Sequence, residues 1–245
     1  MKKLVLLSAM AIFASCSTTS YYQVYETSSN GSSTLFEDAN CKIVYDLWSH
    51  GGNAGFTILN KTEKPITLKL DESFFVLNDR AFDYYQRRTF TEGTDSQTVV
   101  STLNNYYYFS LRQTKVAATS KSEVSYLENP TVTIPGNTLK SFSEYVIANG
   151  ILEICNLKKY PTKKQIKSEN YSENNSPYVF YNLIVYEHEG KKYSIKNDFY
   201  VSSVTNISEA DAFEQKKVDE CGRAKTIKVS KVAAPNKFYV KYYGN

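Results

Sequence analysis

Hydrophobic and polar residues alternate along much of this chain, which is the period of a β-strand with one buried face. In the run that starts at Cys41, for example, Ile43, Tyr45 and Leu47 share one face and Lys42 lies on the other. Short polar turns separate such runs, and this spacing predicts a mainly β fold, an antiparallel β-sandwich. The predicted strands are residues 21–27, 41–48, 55–60, 65–70, 73–77, 131–134, 142–147, 151–155, 178–186, 192–195, 199–204 and 237–243.

Two local patterns are more specific than the general alternation. Residues 178–186 and 192–195 predict a hairpin with its turn at 187–191. Ser208 and Asp211 have the spacing of a capping box, in which both side chains satisfy free amides at a helix start. Gly222 would end that helix, so the sequence predicts one short helix near 209–220.

Two long polar segments, 84–125 and 157–175, interrupt the strand pattern. They predict irregular insertions in a single mainly β domain that spans 21–245. The first segment contains the most aromatic run of the chain: Tyr106, Tyr107, Tyr108 and Phe109. Exposed aromatic rings stack on sugars and anchor protein interfaces, so this run is a candidate binding surface. The alternative is that Tyr, present 21 times, fills the strands.

The first twenty residues have the features of an export signal. Lys2 and Lys3 precede an apolar run, 4–13, which is shorter than the ~20 residues that a membrane-spanning helix needs. Small residues then stand directly before Cys16, and this arrangement resembles the lipobox of bacterial lipoproteins. The resemblance implies a signal peptide at 1–15, a lipid on Cys16 and a short tether at 16–20. An ordinary secretory signal with an incidental cysteine is the alternative.

Charge and cysteine content narrow the function classes. The formal charge of +4 falls to +2 once Lys2 and Lys3 leave with the signal, which is too weak for nucleic-acid binding. Cys41, Cys155 and Cys221 have no metal or redox spacing. In an oxidising compartment they allow one disulfide of undetermined pairing, or they remain free thiols.

Catalytic signatures are weak. His50 precedes two glycines, a fragment similar to an esterase oxyanion loop, but no G-x-S-x-G supplies a nucleophile, so we interpret it as a turn. His188 lies between Glu187 and Glu189, and neighbouring strand residues point to opposite faces, so the three cannot converge on a metal. We therefore predict no enzyme, metal or cofactor. A hydrolase with an unrecognised carboxylate pair is the weakest hypothesis.

A longer resemblance supports the same picture. The run 55–66, which contains F-x-I-x-N-K-T-x-x-P-I, and the run 71–75 resemble uncharacterised Bacteroides-type outer-membrane lipoproteins with an Ig-like β-sandwich domain. The resemblance implies an outer-membrane anchor and no catalytic residue. In such lipoproteins acidic residues after the lipidated Cys accompany surface display, and here the first charge is Glu26. We expect a domain that faces the periplasm, with the cell surface as the alternative.

These observations leave three hypotheses for the function. The favoured one is a non-catalytic scaffold that binds the membrane through its lipid and an envelope protein through its domain. The second is a glycan-binding lipoprotein that uses exposed tyrosines. The third is the unrecognised hydrolase.

The first prediction concerns the anchor. The intact mass of protein extracted from membranes should correspond to a chain that starts at Cys16 and carries added acyl mass. The substitution Cys16→Ala should abolish that mass because the thiol is the acylated group. A soluble product cleaved at another position would contradict the lipobox interpretation.

Overall fold

The computed structural model describes residues 19–29, 34–93, 96–100 and 124–244. Within these ranges about half of the residues are in strands. The helical segments are one α-helical turn, α1 (Glu209–Ala212), and 3₁₀ turns at Leu70–Glu72, Lys163–Gln165 and Glu173–Asn175. The strands are β1 (Ser20–Ser28), β2 (Leu35–Glu37), β3 (Cys41–Val44), β4 (Phe56–Asn60), β5 (Ile66–Lys69), β6 (Phe74–Leu77), β7 (Arg80–Asp83), β8 (Thr89–Gly93), β9 (Ser96–Val100), β10 (Val124–Leu127), β11 (Thr131–Ile134), β12 (Leu139–Phe142), β13 (Ser168–Asn170), β14 (Val179–His188), β15 (Lys191–Ser208), β16 (Phe213–Glu220), β17 (Arg223–Ser230) and β18 (Lys237–Tyr243).

All pairs among the described strands are antiparallel, and they form four sheets. The largest sheet has the order β11-β5-β14-β15-β1-β18, with β13 beside β15, β6 beside β14, and β7 beside β6. A four-stranded sheet has the order β12-β4-β3-β2. A three-stranded sheet, β10-β8-β9, and the separate hairpin β16-β17 complete the described fold.

The largest and the four-stranded sheets pack face to face around one core. Ile43 and Ile58 of the four-stranded sheet and Ile66, Leu68 and Ile184 of the largest sheet are fully buried in the same cluster. Alternate residues of each strand enter this core, as the sequence pattern predicts for a sandwich. The fold is therefore a mainly β, antiparallel β-sandwich, and this prediction is confirmed.

Strand β1 lies between β15 and the edge strand β18 of the large sheet, and it pairs with both. It is buried on both faces. On the sandwich side, the Tyr25 ring stacks on Phe238 with 4.5 Å between ring centroids. On the other side, Tyr22 and Val24 form a second small cluster with Ile207.

The hairpin predicted at 178–195 is confirmed, and it is longer than the sequence indicates. Strand β14 pairs with β15 from Val179 to His188, and the turn residues Glu189 and Gly190 both have positive φ, 49° and 74°. This geometry is that of a two-residue hairpin turn whose twist matches its strands.

The predicted helix near 209–220 is correct at its start and wrong in its extent. The Ser208 hydroxyl accepts a hydrogen bond from the Asp211 backbone N–H, as the capping box requires. The helix ends at Ala212, however, and the next residues form β16. Cys221 and Gly222 have φ of 54° and 77°, so Gly222 belongs to a hairpin turn and not to a helix end.

Other segments also differ from the sequence prediction. Residues 151–155, predicted as a strand, have no regular structure, and the Leu152 backbone instead bonds to the Gln23 side chain. The polar segment 84–125 contains β8 and β9. The segment 157–175 contains β13, whose Ser168 lies opposite Thr205 of β15.

The second prediction tests the core. Leu68 is fully buried opposite Val132 and Tyr186, so Leu68→Ala should lower the free energy of unfolding by about 2–5 kcal/mol. The matched control is Thr67→Ala, because Thr67 points to the opposite face and should cost only about 0.5–1 kcal/mol. Denaturant titration measures both values. Equal losses would contradict the assigned strand register.

Candidate functional site

A cluster of tyrosines marks the end of the sheet at which β1 begins. The Tyr21 ring lies 5.2 Å from Tyr160 and 5.8 Å from Tyr242, measured between centroids. Tyr160 is 41% exposed and Tyr243 is 56% exposed. The ammonium group of Lys241 lies 5.1 Å from the Tyr243 ring centroid, a cation–π contact. Lys241, which is half-buried, and Tyr243 lie on the Tyr22 face of the sheet, because Lys241 is paired with Tyr22 and Tyr243 with Ser20. Aromatic and cationic groups therefore occur on both faces of the sheet at this end of the domain.

The loop 158–167 adjoins these tyrosines and is strongly basic. It contains no Asp or Glu, and all five of its lysines are exposed. They are Lys158, Lys159, Lys163, Lys164 and Lys167. We call Tyr21, Tyr160, Tyr243, Lys241 and the loop 158–167 the basic aromatic surface.

Tertiary contacts hold the two ends of this loop against the start of β1. At one end, the Tyr242 hydroxyl donates to the Lys159 carbonyl, and the Asn206 side chain donates to the Lys158 carbonyl at 3.1 Å. At the other end, Ile166 packs against the cluster that contains Tyr22. The position of the loop is thus defined by the sheet, although the loop is polar.

The hairpin β16–β17 is a second candidate surface. Its strands pair along eight residues each, and none of these residues is buried. Val218, Ile227 and Val229 are half-buried and lie on one face, because residues two apart in a strand share a face. Among the described strands, β16 and β17 pair only with each other. The hairpin therefore has two open edges and two solvent-facing sides.

The base of this hairpin is attached close to the basic aromatic surface. The Phe213 ring lies 4.9 Å from the Tyr22 ring. Lys228 lies 4.4 Å above the Phe213 ring and forms an ion pair with Glu209. Both candidate surfaces consequently contact the first residues of β1.

The group of titratable residues around Asp38 has a structural role. The Asp38 carboxylate accepts hydrogen bonds from the backbone N–H groups of Asn40 and Cys41, at 2.8 and 2.7 Å, and from the Tyr186 hydroxyl at 2.8 Å. Partial burial alone would raise the pKa of this carboxyl, but these hydrogen bonds outweigh it and lower the pKa. The group therefore holds the turn that leads into β3.

Arg88 forms a second charged cluster, where β8 leaves the sandwich. Its guanidinium bonds to Glu128 and, at 2.9 Å, to Glu144. Glu128 also accepts from the backbone N–H groups of Gln86 and Arg88. Burial would lower the pKa of the guanidinium, but the two carboxylates outweigh that effect and raise it. This cluster fixes both ends of the segment 88–128.

Both histidines lie next to turns of the sandwich. A Cβ at Gly51 would lie within 3 Å of Ala148, and a Cβ at Gly52 would lie within 3 Å of Ile147 and Phe238. The two glycines after His50 therefore allow a tight turn against the core. Beside His188, Glu187 and Glu189 pair with lysines. In the part of the chain that the structure describes, no three His, Cys, Asp or Glu residues could hold a metal ion.

Several of the tyrosines that the structure describes are core residues with a satisfied hydroxyl. The Tyr45 hydroxyl donates to the Asn197 side chain and the Tyr84 hydroxyl to Asn182, both at 2.7 Å. All four residues are buried in the sandwich. The predicted binding residues Tyr106, Tyr107, Tyr108 and Phe109 lie outside the described residues, as does Cys16.

The basic aromatic surface and the open hairpin were not predicted as sites. The sequence signal for the first was the lysine density of 157–175, which we interpreted as an exposed insertion. No local signal places that loop beside Tyr21, because the contact joins residues 139 positions apart. The hairpin was missed because the capping box at Ser208 predicts a helix over 209–220, where the structure has its first strand.

By its fold the protein is an antiparallel β-sandwich with a projecting hairpin. Comparisons with protein-family models, curated proteins and solved structures found no match. Among the described helical segments, none has the length and apolar character of a membrane-spanning helix.

The third prediction concerns the cysteines, which are free thiols in the structure. Cys41 is fully buried, while Cys155 and Cys221 are exposed. Burial, with the neighbouring Asp38 charge, raises the pKa of the Cys41 thiol to about 12, so at neutral pH it is protonated and unreactive.

In the native protein an alkylating reagent should therefore modify Cys155 and Cys221 within minutes and leave Cys41 unmodified until denaturant is added. Peptide mass analysis identifies the labelled sites. Loss of labelling at Cys155 and Cys221 together, restored by a reductant, would instead reveal a disulfide between them.

Proposed function

We propose that this protein is a non-catalytic, lipid-anchored protein of the cell envelope that presents the hairpin β16–β17 to a protein partner. The observation that carries the proposal is the hairpin itself, which has no buried strand residue and two open edges. A two-stranded hairpin is only marginally stable alone in water. A partner that covers it would supply the stabilisation that the sandwich does not.

The composition of the hairpin indicates the kind of partner. Its strands carry five basic and three acidic residues, and three aliphatic residues share one face. Lysines on an open edge discourage unspecific strand pairing, so a matching partner needs acidic groups beside an apolar strip. We therefore propose an envelope protein that adds a strand to this edge or covers its aliphatic face.

The proposed anchor is the lipid on Cys16, and it places the domain next to a membrane. Strand β1 begins at Ser20, and four residues extend at most ~14 Å. The absence of charge before Glu26 favours the inner leaflet of the outer membrane, with the domain in the periplasm. Such a position suits an accessory of a membrane-embedded complex.

A non-catalytic role is supported by the partners of the charged clusters. The groups around Asp38 and Arg88 are each engaged in holding a turn or a chain segment. The aromatic run 106–109, on which the glycan-binding hypothesis rests, lies outside the described residues, whereas the open hairpin lies within them. The scaffold hypothesis is therefore preferred.

The fourth prediction tests the hairpin in cells. A photo-crosslinking amino acid in place of Val218 should give one discrete adduct with another envelope protein, because Val218 lies on the aliphatic face. The same group in place of Lys140, exposed on β12, is the matched control and should give none. Immunoblots of irradiated cells measure both.

A shortened variant completes this test. Residues 217–226 can be replaced by Asn-Gly, since Lys216 and Ile227 are paired and a two-residue turn can join them. The variant should keep its melting temperature and lose the partner from mild detergent extracts. The proposal fails if crosslinking from Val218 and from Lys140 gives the same adducts. It also fails if the shortened protein still co-purifies with the partner that was identified by crosslinking.

A further inference from the structure

We propose that the basic aromatic surface rests on the anionic head groups of the membrane that carries the lipid anchor. This inference rests on the proposed anchor at Cys16, and it assigns an orientation to the domain. The occupant is a lipid surface, and the surface that meets it is Tyr21, Tyr160, Tyr243, Lys241 and the loop 158–167.

The first argument is position. The basic aromatic surface surrounds the residues directly after the tether: Tyr21 contacts Tyr160, and the Gly244 N–H bonds to the Thr19 carbonyl at 2.9 Å. A tether from Cys16 to Ser20 reaches at most ~14 Å. This end of the sandwich is therefore the part of the described domain that the lipid holds nearest to the bilayer.

The second argument is charge. Elsewhere on the domain, many lysines lie singly or pair with carboxylates, for example Lys61 with Glu37 at 2.7 Å and Lys192 with Glu72 at 2.8 Å. In the loop, Lys159 pairs with Glu153, and the other four lysines form no ion pair with any residue that the structure describes. Unpaired lysines on one short loop leave a local positive field, although the net charge of the chain is small.

The magnitude of that field is enough to orient an anchored domain. Each lysine near an anionic bilayer contributes about a fivefold preference for the surface, and this effect fades within a Debye length. The tether lets the loop approach the head groups within that range, because it holds this end of the domain near the bilayer. Four lysines therefore bias a tethered domain strongly toward one orientation, even where none of them alone would bind.

The third argument is the exposed aromatic rings. Tyrosine is enriched where one end of a side chain meets hydrocarbon and the other meets water. Tyr160 and Tyr243 are the exposed rings of this surface, and Lys241 lies beside Tyr243. Tyrosine rings beside lysines with long aliphatic stems fit the head-group layer of a membrane.

The fifth prediction uses the full protein, purified from membranes and reconstituted in two kinds of vesicle. One kind is phosphatidylcholine alone, and the other is phosphatidylcholine and phosphatidylglycerol in equal parts. Trypsin cleavage after Lys163 and Lys164 should be at least about fivefold slower on the anionic vesicles, since docking covers the loop. High salt should remove the difference.

A triple variant and a matched double variant make the result specific. Lys163→Glu, Lys164→Glu and Lys167→Glu together should abolish the lipid dependence, which is then measured by hydrogen exchange of the loop because the trypsin sites are gone. The matched control, Lys140→Glu with Lys191→Glu, changes exposed lysines elsewhere and should leave the protection intact. Equal protection on both vesicles, or protection that survives the triple variant, would overturn the proposal.

Failure of the anchor and failure of the docking surface give different results. If intact mass shows no acyl group, the anchor proposal fails, and the unlipidated protein is mixed with the same vesicles and sedimented. If the unlipidated protein sediments with the anionic vesicles and not with the phosphatidylcholine vesicles, the docking surface is still supported. Protection of the loop by inorganic phosphate without vesicles would show a general anion site and overturn the assignment to lipid.

Discussion

The pairing of β1 with both β15 and β18 is the constraint on which the rest of the structure depends. It joins the first strand of the domain to the last, with Tyr21 opposite Ser208 on one edge and Tyr242 on the other. Closing loops of this length costs entropy before the contacts offset it. Because β1 is buried on both faces, it also unites the two hydrophobic clusters, one at Tyr25 and one at Tyr22.

Much of the fold can be predicted from local patterns, and the exceptions have identifiable causes. Alternation predicts β1 and β14 because each keeps a buried face along most of its length. It fails at 151–155, where the buried Gln23 side chain satisfies the Leu152 backbone in place of a neighbouring strand. The helix prediction is wrong beyond Ala212 because a cap determines only where a helix begins, whereas the residues after it are held as strands by the pairing of β16 with β17.

The candidate surfaces were harder to predict than the sandwich for a related reason. A buried strand is recognisable from its own residues, whereas a surface is composed of residues brought together by the fold. Tyr160 and Tyr243 are far apart in sequence, and each looks like an ordinary exposed tyrosine. Both come to the end of the sheet at which β1 begins through the β1–β18 pairing: Tyr242 contacts both Tyr21 and Tyr160, and Tyr243 is paired with Ser20. Conversely, Tyr45 and Tyr84 are buried in the sandwich, and their hydroxyls are paired with buried asparagines.

The two surfaces are connected through β1, and this connection bears on how the protein would work. Tyr21 and Tyr22 are consecutive, so they point to opposite faces of the sheet. Tyr21 contacts the loop 158–167 through Tyr160, and Tyr22 contacts the hairpin base through Phe213. If the basic aromatic surface orients the domain on the membrane, it also holds the base of the hairpin at a fixed distance from the lipid. In the proposed arrangement, the orientation given by the lysines limits which membrane-proximal partners the hairpin can reach, and specificity would arise from geometry as well as from the hairpin residues themselves.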